Sequence, residues 1–340
     1  MPRLLVTHSD SHGRPMAKVR EIFDGFEIRE LSVPAGGLDV DVPERLIEAL
    51  EGCEACLLRP GRFSGDVFAA VDDLRAVALT GSGVDHIDLD AATEAGVVVA
   101  NSPGGPGPSV VEHTFAVTFA LLRDVIENAR GVADGRWADV RSPVTELRGK
   151  TVGVVGLGTI GLEVARTATA SFGADVVGYD PYVTGERSHP VFPRHDRGAV
   201  EDAGVELVDR ERLFERADVV TVHTPLTEET RGLVGEPELD GLGEGYLVNT
   251  SRGGVIEESA LYDALVDGEL AGAALDVFEN EPPSPDNPLL DAPNLILSPH
   301  VAGVSDRTQR RGLELAAESI RTALDGGRPD TVVNPAVYDE

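Results

Sequence analysis

Short apolar runs alternate with helix-forming stretches along most of the chain. In the first hundred residues the apolar runs predict strands at 4–7, 28–33, 56–59, 77–80 and 97–101, with helices such as 43–50 and 89–95 between them. The alternation returns after residue 150 and predicts strands at 151–155, 176–179, 219–223, 247–250, 273–277 and 295–297, with a helix at 257–266. Strands that alternate with helices are typical of parallel α/β sheets. The pattern therefore predicts two such sheets.

Between the two sets of strands lies a longer helical pattern. Its apolar positions step by three or four residues, as on a buried helix face, and predict one helix over 109–128. These positions are Val111, Phe115, Phe119, Leu122 and Ile126. Alternating prolines and glycines at 103–108 predict a crossover between domains. We expect 185–208 to be a surface excursion, and a last helix at 305–324 to return the chain to the first domain.

A glycine-rich turn follows the predicted strand at 151–155. Its sequence, Gly156-Leu157-Gly158-Thr159-Ile160-Gly161, opens a helical pattern, and the next predicted strand ends before Asp180. Glycines so placed allow a tight turn, the approach of backbone N–H groups to a pyrophosphate, and close packing of helix on strand. An acidic residue about 20 positions later binds the adenosine ribose hydroxyls. The pattern predicts a dinucleotide-binding domain, and because Asp180 would repel a 2′-phosphate, it favours NAD over NADP.

The composition is strongly acidic. Among 340 residues there are 59 acids and 29 bases, a formal net charge of -30, and the only lysines are Lys18 and Lys150. Such a charge repels nucleic acid and anionic membranes, so neither is an expected partner. We interpret the acidic surface as salt adaptation, with stability and activity that rise as salt screens the repulsion. With no apolar run near the roughly 20 residues of a membrane span and no signal-peptide pattern, we expect a cytoplasmic protein.

The two cysteines, Cys53 and Cys56, form a C-x-x-C pattern. A zinc site needs more ligands nearby, and a redox pair of this type stands at the start of a helix, whereas this pair leads into a predicted strand. We interpret both as ordinary thiols and predict no metal site.

Three polar residues follow predicted strands, where ligands bind in open α/β sheets. Arg252 follows 247–250, Glu281 follows 273–277, and His300 follows 295–297. A guanidinium can bind a carboxylate and polarise a carbonyl, a histidine can exchange a proton with the substrate oxygen, and a carboxylate beside it can orient the ring. Each residue alone is more often structural. Together, after a dinucleotide-binding turn, they indicate hydride transfer between a nicotinamide and a 2-oxo or 2-hydroxy acid.

Further short motifs occur in order along nearly the whole chain. They are Gly81-Ser82-Gly83-Val84-Asp85-His86-Ile87-Asp88, Asn101-Ser102-Pro103, Ser109-Val110-Val111-Glu112-His113, His223-Thr224-Pro225-Leu226-Thr227, Asn249-Thr250-Ser251-Arg252-Gly253-Gly254, Leu275-Asp276-Val277-Phe278 and Ser298-Pro299-His300. With the glycine turn they resemble the D-isomer-specific 2-hydroxyacid dehydrogenase family. The resemblance implies an α/β fold of two doubly wound parallel-sheet domains. A Rossmann NAD-binding domain, 103–298, would be inserted into a flavodoxin-like substrate domain made of 1–102 and 299–340.

The resemblance also implies roles for single residues. Arg252, Glu281 and His300 are the expected catalytic residues. The expected substrate-binding residues are Arg59, Ser82, Gly83, Arg252 and His300. The expected contacts of the cofactor, NAD, are Gly156, Gly158, Thr159, Ile160, Gly161, Asp180, Thr224, Pro225, Thr230, Thr250, Asp276 and His300. Trp137 is similar to the family's dimerisation arm, which implies a homodimer, and His113 is expected to be a structural, hydrogen-bonded histidine.

Three functions stay open at this point. The leading one is NAD-dependent reduction of a small 2-oxo acid in a cleft that closes between the domains. One alternative is D-3-phosphoglycerate oxidation for serine biosynthesis, with Arg59 and Arg62 gripping the phosphate. The end of the sequence at Glu340 leaves no room for the regulatory extension of many such relatives, which lowers its rank. The other alternative is an NAD(H)-sensing binding protein with little turnover.

Overall fold

Two parallel sheets, each in its own unit, make up the fold. The structure is a computed structural model that describes residues 1–9, 16–33, 42–59, 61–102, 107–138, 144–183 and 196–339. The first unit is Met1–Pro106 with Gly303–Glu340, and the second is Gly107–Ala302. Both divisions fall four residues later than expected from the sequence. His300, expected in the first domain, therefore belongs to the second unit.

The first unit is built on five parallel strands in the order β2-β1-β3-β4-β5. The strands are β1 (Arg3–Ser9), β2 (Glu27–Val33), β3 (Ala55–Leu58), β4 (Ala76–Leu79) and β5 (Val98–Ala100). The helices between them are α1 (Met16–Ile22), α2 (Pro43–Leu50), α3 (Gly65–Ala69) and α4 (Leu89–Glu94). This strand order is the flavodoxin-like one, in which the topology reverses between β1 and β3.

The second unit is built on seven parallel strands in the order β12-β11-β10-β9-β6-β7-β8. The strands are β6 (Thr151–Val155), β7 (Asp175–Tyr179), β8 (Val205–Leu207), β9 (Val219–Val222), β10 (Tyr246–Asn249), β11 (Gly272–Leu275) and β12 (Leu295–Leu297). The helices are α5 (Gly107–Leu122), α6 (Val125–Ala133), α7 (Thr159–Thr167), α8 (Arg197–Asp202), α9 (Arg210–Arg216), α10 (Glu236–Leu242) and α11 (Glu258–Val266). The topology reverses between β6 and β9, as in doubly wound dinucleotide-binding sheets. The predicted fold class is confirmed.

The surface excursion expected at 185–208 is wrong in its second half. That half contains α8 and the short edge strand β8, where six strands were expected in this sheet and seven are found. The strand is only three residues long and has Glu206 at its centre, too short a run to show a period. Val200 and Val205 are both buried in the same core cluster, which fixes the two elements to the sheet. The first half of the excursion, at 185–195, lies outside the described residues.

The single helix predicted over 109–128 is two helices. The first ends at Leu122, and Asp124 then adopts a left-handed conformation with φ 49° before α6 begins. Aspartate is one of the few residues that tolerate this conformation. The break turns Ile126, expected on the buried face, to 38% exposure.

The final helix, α12 (Asp306–Leu324), returns the chain to the first unit as predicted. Ser305 caps its N-terminus by accepting a hydrogen bond from the Thr308 N–H. Its apolar face packs against the buried side of the first sheet. The buried residues that it adds to that core are Leu313, Ala316, Ala317, Ile320 and Ala323. Within the part of the chain that the structure describes, no helix is both long and apolar enough to cross a membrane.

Candidate active site

The glycine turn lies directly after β6, at the point where the second sheet reverses its topology. Gly156 has φ 90°, and a Cβ there would come within 2.8 Å of the His223 backbone. A Cβ at Gly161 would overlap the carbonyl oxygen of Gly156, so only glycine lets α7 start this close to the strand. A Cβ at Gly158 would meet nothing within 4 Å. The turn therefore leaves open space in front of its middle glycine, at the N-terminus of a helix, which fits a bound pyrophosphate.

Asp180 follows β7 and joins this turn. Its carboxylate accepts a hydrogen bond from the Leu157 N–H at 2.8 Å and another from the Tyr182 N–H at 2.8 Å. The negative charge is thus held at the end of the strand next to the glycine turn. That is the position from which a carboxylate binds the ribose hydroxyls of NAD.

The loop after β9 borders the other side of the turn. His223 donates its backbone N–H to Val155, and its ring Nε2 lies 2.8 Å from the Thr221 hydroxyl. The residue His223 as a whole is partly exposed, but its ring is buried. Burial lowers the pKa of the ring to about 3, so the ring is neutral at physiological pH. Thr224 and Pro225 follow in this loop, whose fold Thr230 fixes by donating to the Pro225 carbonyl at 2.6 Å.

His300 and Glu281 meet across the ends of β12 and β11. His300 Nδ1 lies 2.7 Å from Glu281 Oε2, and the other carboxylate oxygen accepts the Phe278 N–H at 3.1 Å. Both side chains are half-buried. A carboxylate can only accept, so Nδ1 carries the hydrogen in this pair, and Nε2 is the nitrogen that can exchange a proton with a ligand.

Arg252 lies in the loop after β10, which its neighbours hold rigid. Asn249 donates to the Arg252 carbonyl at 2.9 Å and accepts from the Ser251 N–H at 3.0 Å. A Cβ at Gly253 would overlap the Phe278 backbone. The loop that carries Arg252 is therefore packed directly against the segment that leads to Glu281, and the three expected catalytic residues lie after three neighbouring strands, β10, β11 and β12.

Asp276 fixes the backbone around His300. Its carbonyl accepts the His300 N–H at 2.7 Å, and its carboxylate accepts the N–H groups of Val301 at 2.9 Å and Ala302 at 2.8 Å. Three consecutive N–H groups thus donate to one residue, which is only 2% exposed. The sequence predicted a cofactor contact for Asp276, which stays a prediction, while its part in anchoring this loop was missed.

Two residues of α5 also reach the strand ends, and neither contact could be predicted from the sequence. His113 Nε2 lies 3.1 Å from the Ser298 hydroxyl. The hydroxyls of Thr114 and Thr250 lie 3.1 Å apart. The expectation of a hydrogen-bonded His113 is confirmed, although its partner was not anticipated.

The remaining predicted residues belong to the first unit. Arg59 follows β3 and is 8% exposed, and its backbone N–H donates to the Thr7 hydroxyl at 2.9 Å. Ser82 and Gly83 follow β4, where the Asn101 side chain donates to the Ser82 carbonyl at 2.8 Å. All of them lie at the carboxyl edge of their sheet, and Arg59 is beside its reversal of topology. Among the described residues, no group of three or more His, Cys, Asp or Glu side chains is arranged to hold a metal ion.

Comparison with known proteins agrees with this arrangement. Residues 115–302, more than half of the chain, match the family described as "D-isomer specific 2-hydroxyacid dehydrogenase, NAD binding domain". A glyoxylate reductase of Korarchaeum cryptofilum is 36% identical over 342 residues, which cover 99% of this chain and 97% of the relative. The chain belongs to the D-isomer specific 2-hydroxyacid dehydrogenase family. Its second unit is the NAD-binding domain of that family.

Other members of the family are also similar. A D-3-phosphoglycerate dehydrogenase of Archaeoglobus fulgidus is 40% identical over 297 residues, 85% of this chain and 54% of the relative. The chain thus spans about half the length of the phosphoglycerate dehydrogenases of Archaeoglobus fulgidus and Methanocaldococcus jannaschii that it matches. The structure of an NADPH-dependent glyoxylate/hydroxypyruvate reductase from Sinorhizobium meliloti, in complex with NADP and malonate, matches with a TM-score of 0.81 and 29% identity over 98% of each chain.

Proposed function

We propose that the protein is an NAD-dependent oxidoreductase that interconverts a small 2-oxo acid and its D-2-hydroxy acid. The observation that carries the proposal is the pair of His300 and Glu281, which, like Arg252, follow neighbouring strands of an NAD-binding sheet. Family membership and the full-length similarity to a glyoxylate reductase support it.

Arg252 binds the substrate carboxylate and polarises the reacting carbonyl. A guanidinium suits both tasks because it is always charged and presents several N–H donors in a fixed plane. The hydrogen bonds between the Asn249 side chain and the loop backbone, one donated to the Arg252 carbonyl and one accepted from the Ser251 N–H, hold the start of the Arg252 side chain in place. Binding energy is then available for orienting the substrate instead of ordering the loop.

His300 gives a proton to the substrate oxygen in reduction and takes it back in oxidation. Glu281 keeps the proton on Nδ1 in the neutral ring and stabilises the charged ring that precedes transfer. The backbone N–H of Phe278 holds the opposite oxygen of Glu281 and so fixes the carboxylate in turn. When bound, the nicotinamide supplies or accepts the hydride.

The open glycine turn, with Thr159 and Ile160 beginning α7, would hold the NAD pyrophosphate, and Asp180 the adenosine ribose. Thr224, Pro225, Thr230 and Thr250 follow β9 and β10 on the same edge, which supports the predicted cofactor contacts there. The Sinorhizobium relative binds NADP. This chain instead presents a carboxylate that would repel a 2′-phosphate, and we therefore propose a preference for NAD.

The test is steady-state oxidation of NADH with glyoxylate, hydroxypyruvate, pyruvate and 3-phosphohydroxypyruvate. Turnover with an unphosphorylated 2-oxo acid is the expected result. Tight NADH binding with negligible turnover on every acid would overturn the proposal and favour an NAD(H)-sensing protein.

A second candidate is D-3-phosphoglycerate oxidation. The similarity to the Archaeoglobus phosphoglycerate dehydrogenase favours it, as does Arg59, a buried cation at the carboxyl edge of the first sheet. A guanidinium there suits a phosphate. If this candidate holds, Arg59→Ala will raise the KM for the phosphorylated acid far more than that for glyoxylate. Equal effects on both acids would remove it.

We also propose that the protein is a homodimer. Large apolar side chains are exposed along α6 and the segment after it. They are Val125, Ile126, Val132, Trp137 and Val144. Apolar surface of this extent commonly marks a protein interface. Light scattering coupled to gel filtration should give twice the mass of the chain, and Val132→Glu should give a monomer. A monomeric wild-type protein would contradict the proposal.

The net charge of -30 supports adaptation to high salt, and the free, buried Cys53 and Cys56 thiols support a reducing, cytoplasmic setting. We expect the thermal stability to rise between low and molar KCl as the repulsion is screened. An unchanged Tm over that range would contradict the salt adaptation.

A further inference from the structure

The ring of His113 reaches the loop that follows β12. Its Nε2 lies 3.1 Å from Ser298 Oγ and 3.6 Å from Asp276 Oδ1. Ser298 Oγ in turn lies 2.6 Å from the same Asp276 oxygen. The side chains of His113 and Ser298 therefore connect helix α5 to Asp276, the residue that anchors the His300 backbone.

The direction of these hydrogen bonds follows from the groups involved. An ionised carboxylate can only accept, and a serine hydroxyl has a single proton, so the Ser298 proton points at Asp276. The Ser298 oxygen is then an acceptor toward His113. Nε2 of His113 must therefore carry a hydrogen, whether the ring is neutral or charged.

The loop that contains His300 keeps its conformation only through contacts with other residues. His300 has φ 53°, a left-handed conformation that is uncommon for residues other than glycine. Such a conformation persists only where the surroundings enforce it. The N–H groups of Val301 and Ala302 both donate to the Asp276 carboxylate, which also accepts the Ser298 hydroxyl proton.

We propose that His113 is a positioning residue for His300. Its ring N–H orients Ser298, Ser298 orients the Asp276 carboxylate, and the carboxylate holds the backbone that aims the imidazole. The proposal rests on the proposed function, because it assigns His113 to the geometry of the proton donor in that reaction. His113 itself touches no reacting atom in this scheme.

Three variants test the role in kinetics. His113→Leu removes the donor and should lower kcat about tenfold, because small errors of orientation are costly in proton transfer, while the KM for NADH stays unchanged. His113→Gln keeps an N–H donor and should recover most of the loss. Thr118→Val is the matched control, since Thr118 is buried on the same helix and donates only to the Thr114 carbonyl. A wild-type kcat in His113→Leu, or the same loss in Thr118→Val, would overturn the proposal.

Ser298→Ala separates positioning from general stability. If His113 acts through Ser298, the double variant with His113→Leu will lose no more kcat than Ser298→Ala alone. Losses that multiply would show that His113 acts independently of Ser298 and contradict the proposal. The serine variant removes one oxygen atom, so it also serves if His113→Leu does not fold.

Hydrogen exchange gives a measurement that needs no turnover. In the protein without substrate, amides of the peptide 298–303 should exchange about tenfold faster in His113→Leu and Ser298→Ala than in the wild type. Their exchange rates should be unchanged in Thr118→Val. Unchanged exchange in both site variants would overturn the inference. If the wild type turns over no 2-oxo acid, the proposed function fails, while the exchange rates still decide whether His113 holds this loop.

Discussion

Glu281 holds His300 by one carboxylate oxygen and is itself held by the other. Oε2 lies 2.7 Å from His300 Nδ1, and Oε1 accepts the Phe278 N–H at 3.1 Å. Rotation of the carboxylate would break both hydrogen bonds together. The imidazole is therefore oriented by a carboxylate that is itself held in place, as precise proton transfer requires.

Replacing Glu281 with Gln should keep the shape of this pair and remove its charge. We expect kcat for 2-oxo acid reduction to fall by roughly a hundredfold. Glu279→Gln, an exposed acid two residues away, is the control. An equal kcat for the two variants would contradict the role of Glu281.

Alanine substitutions at two glycines of the turn should have different effects, one on the stability of the fold and the other on NADH binding. Gly161→Ala should destabilise the fold by about 3 kcal/mol, because the new methyl group overlaps the Gly156 carbonyl. Gly158→Ala meets no atom and should leave the Tm almost unchanged, yet weaken NADH binding about tenfold or more by filling the space before the turn. Thermal melts and NADH fluorescence titration check both. Normal NADH affinity in Gly158→Ala would argue against the proposed pyrophosphate position.

Asp180 predicts the cofactor preference. Asp180→Asn can still accept the Leu157 N–H but no longer repels a phosphate, so the ratio of kcat/KM for NADH to that for NADPH should fall about tenfold or more. The exposed Glu229, which accepts a hydrogen bond from the Tyr182 hydroxyl, provides the control variant Glu229→Gln. A wild-type enzyme equally efficient with both cofactors would refute the preference.

His223 predicts a pH dependence of stability. Burial lowers its pKa in the folded state to about 3, while in the unfolded chain it is about 6.5. Below pH 6.5 the unfolded chain therefore binds a proton that the folded protein rejects, and the free energy of unfolding falls by at most about 1.4 kcal/mol per pH unit down to about pH 3. Urea titrations should show a shallower decline for His223→Asn over this window. The same slope in both proteins would contradict the buried, neutral ring.

The sequence predicted both sheets because their strands are apolar runs bounded by helical stretches. The same rule failed for β8, whose three residues include Glu206, and for the helix break at Asp124, where one left-handed residue leaves the apolar spacing intact. Motifs likewise led to the prediction that Arg252, Glu281 and His300 are the catalytic residues.

The contacts that stabilise the candidate site could not be predicted from the sequence. Nothing in the spacing of His113 and Ser298, 185 residues apart, indicates that their side chains meet. The hydrogen bonds that three successive N–H groups donate to Asp276 depend on backbone angles that a sequence motif does not specify. Such contacts become visible only when strand order brings distant loops together.

The most direct test compares wild-type protein with His300→Gln in NADH oxidation by glyoxylate, with NADH affinity measured in parallel. We predict measurable turnover by the wild type and a loss of roughly a thousandfold in the variant, with unchanged NADH affinity, because the variant lacks the proton donor but keeps the glycine turn. Near-normal turnover by His300→Gln would contradict the account.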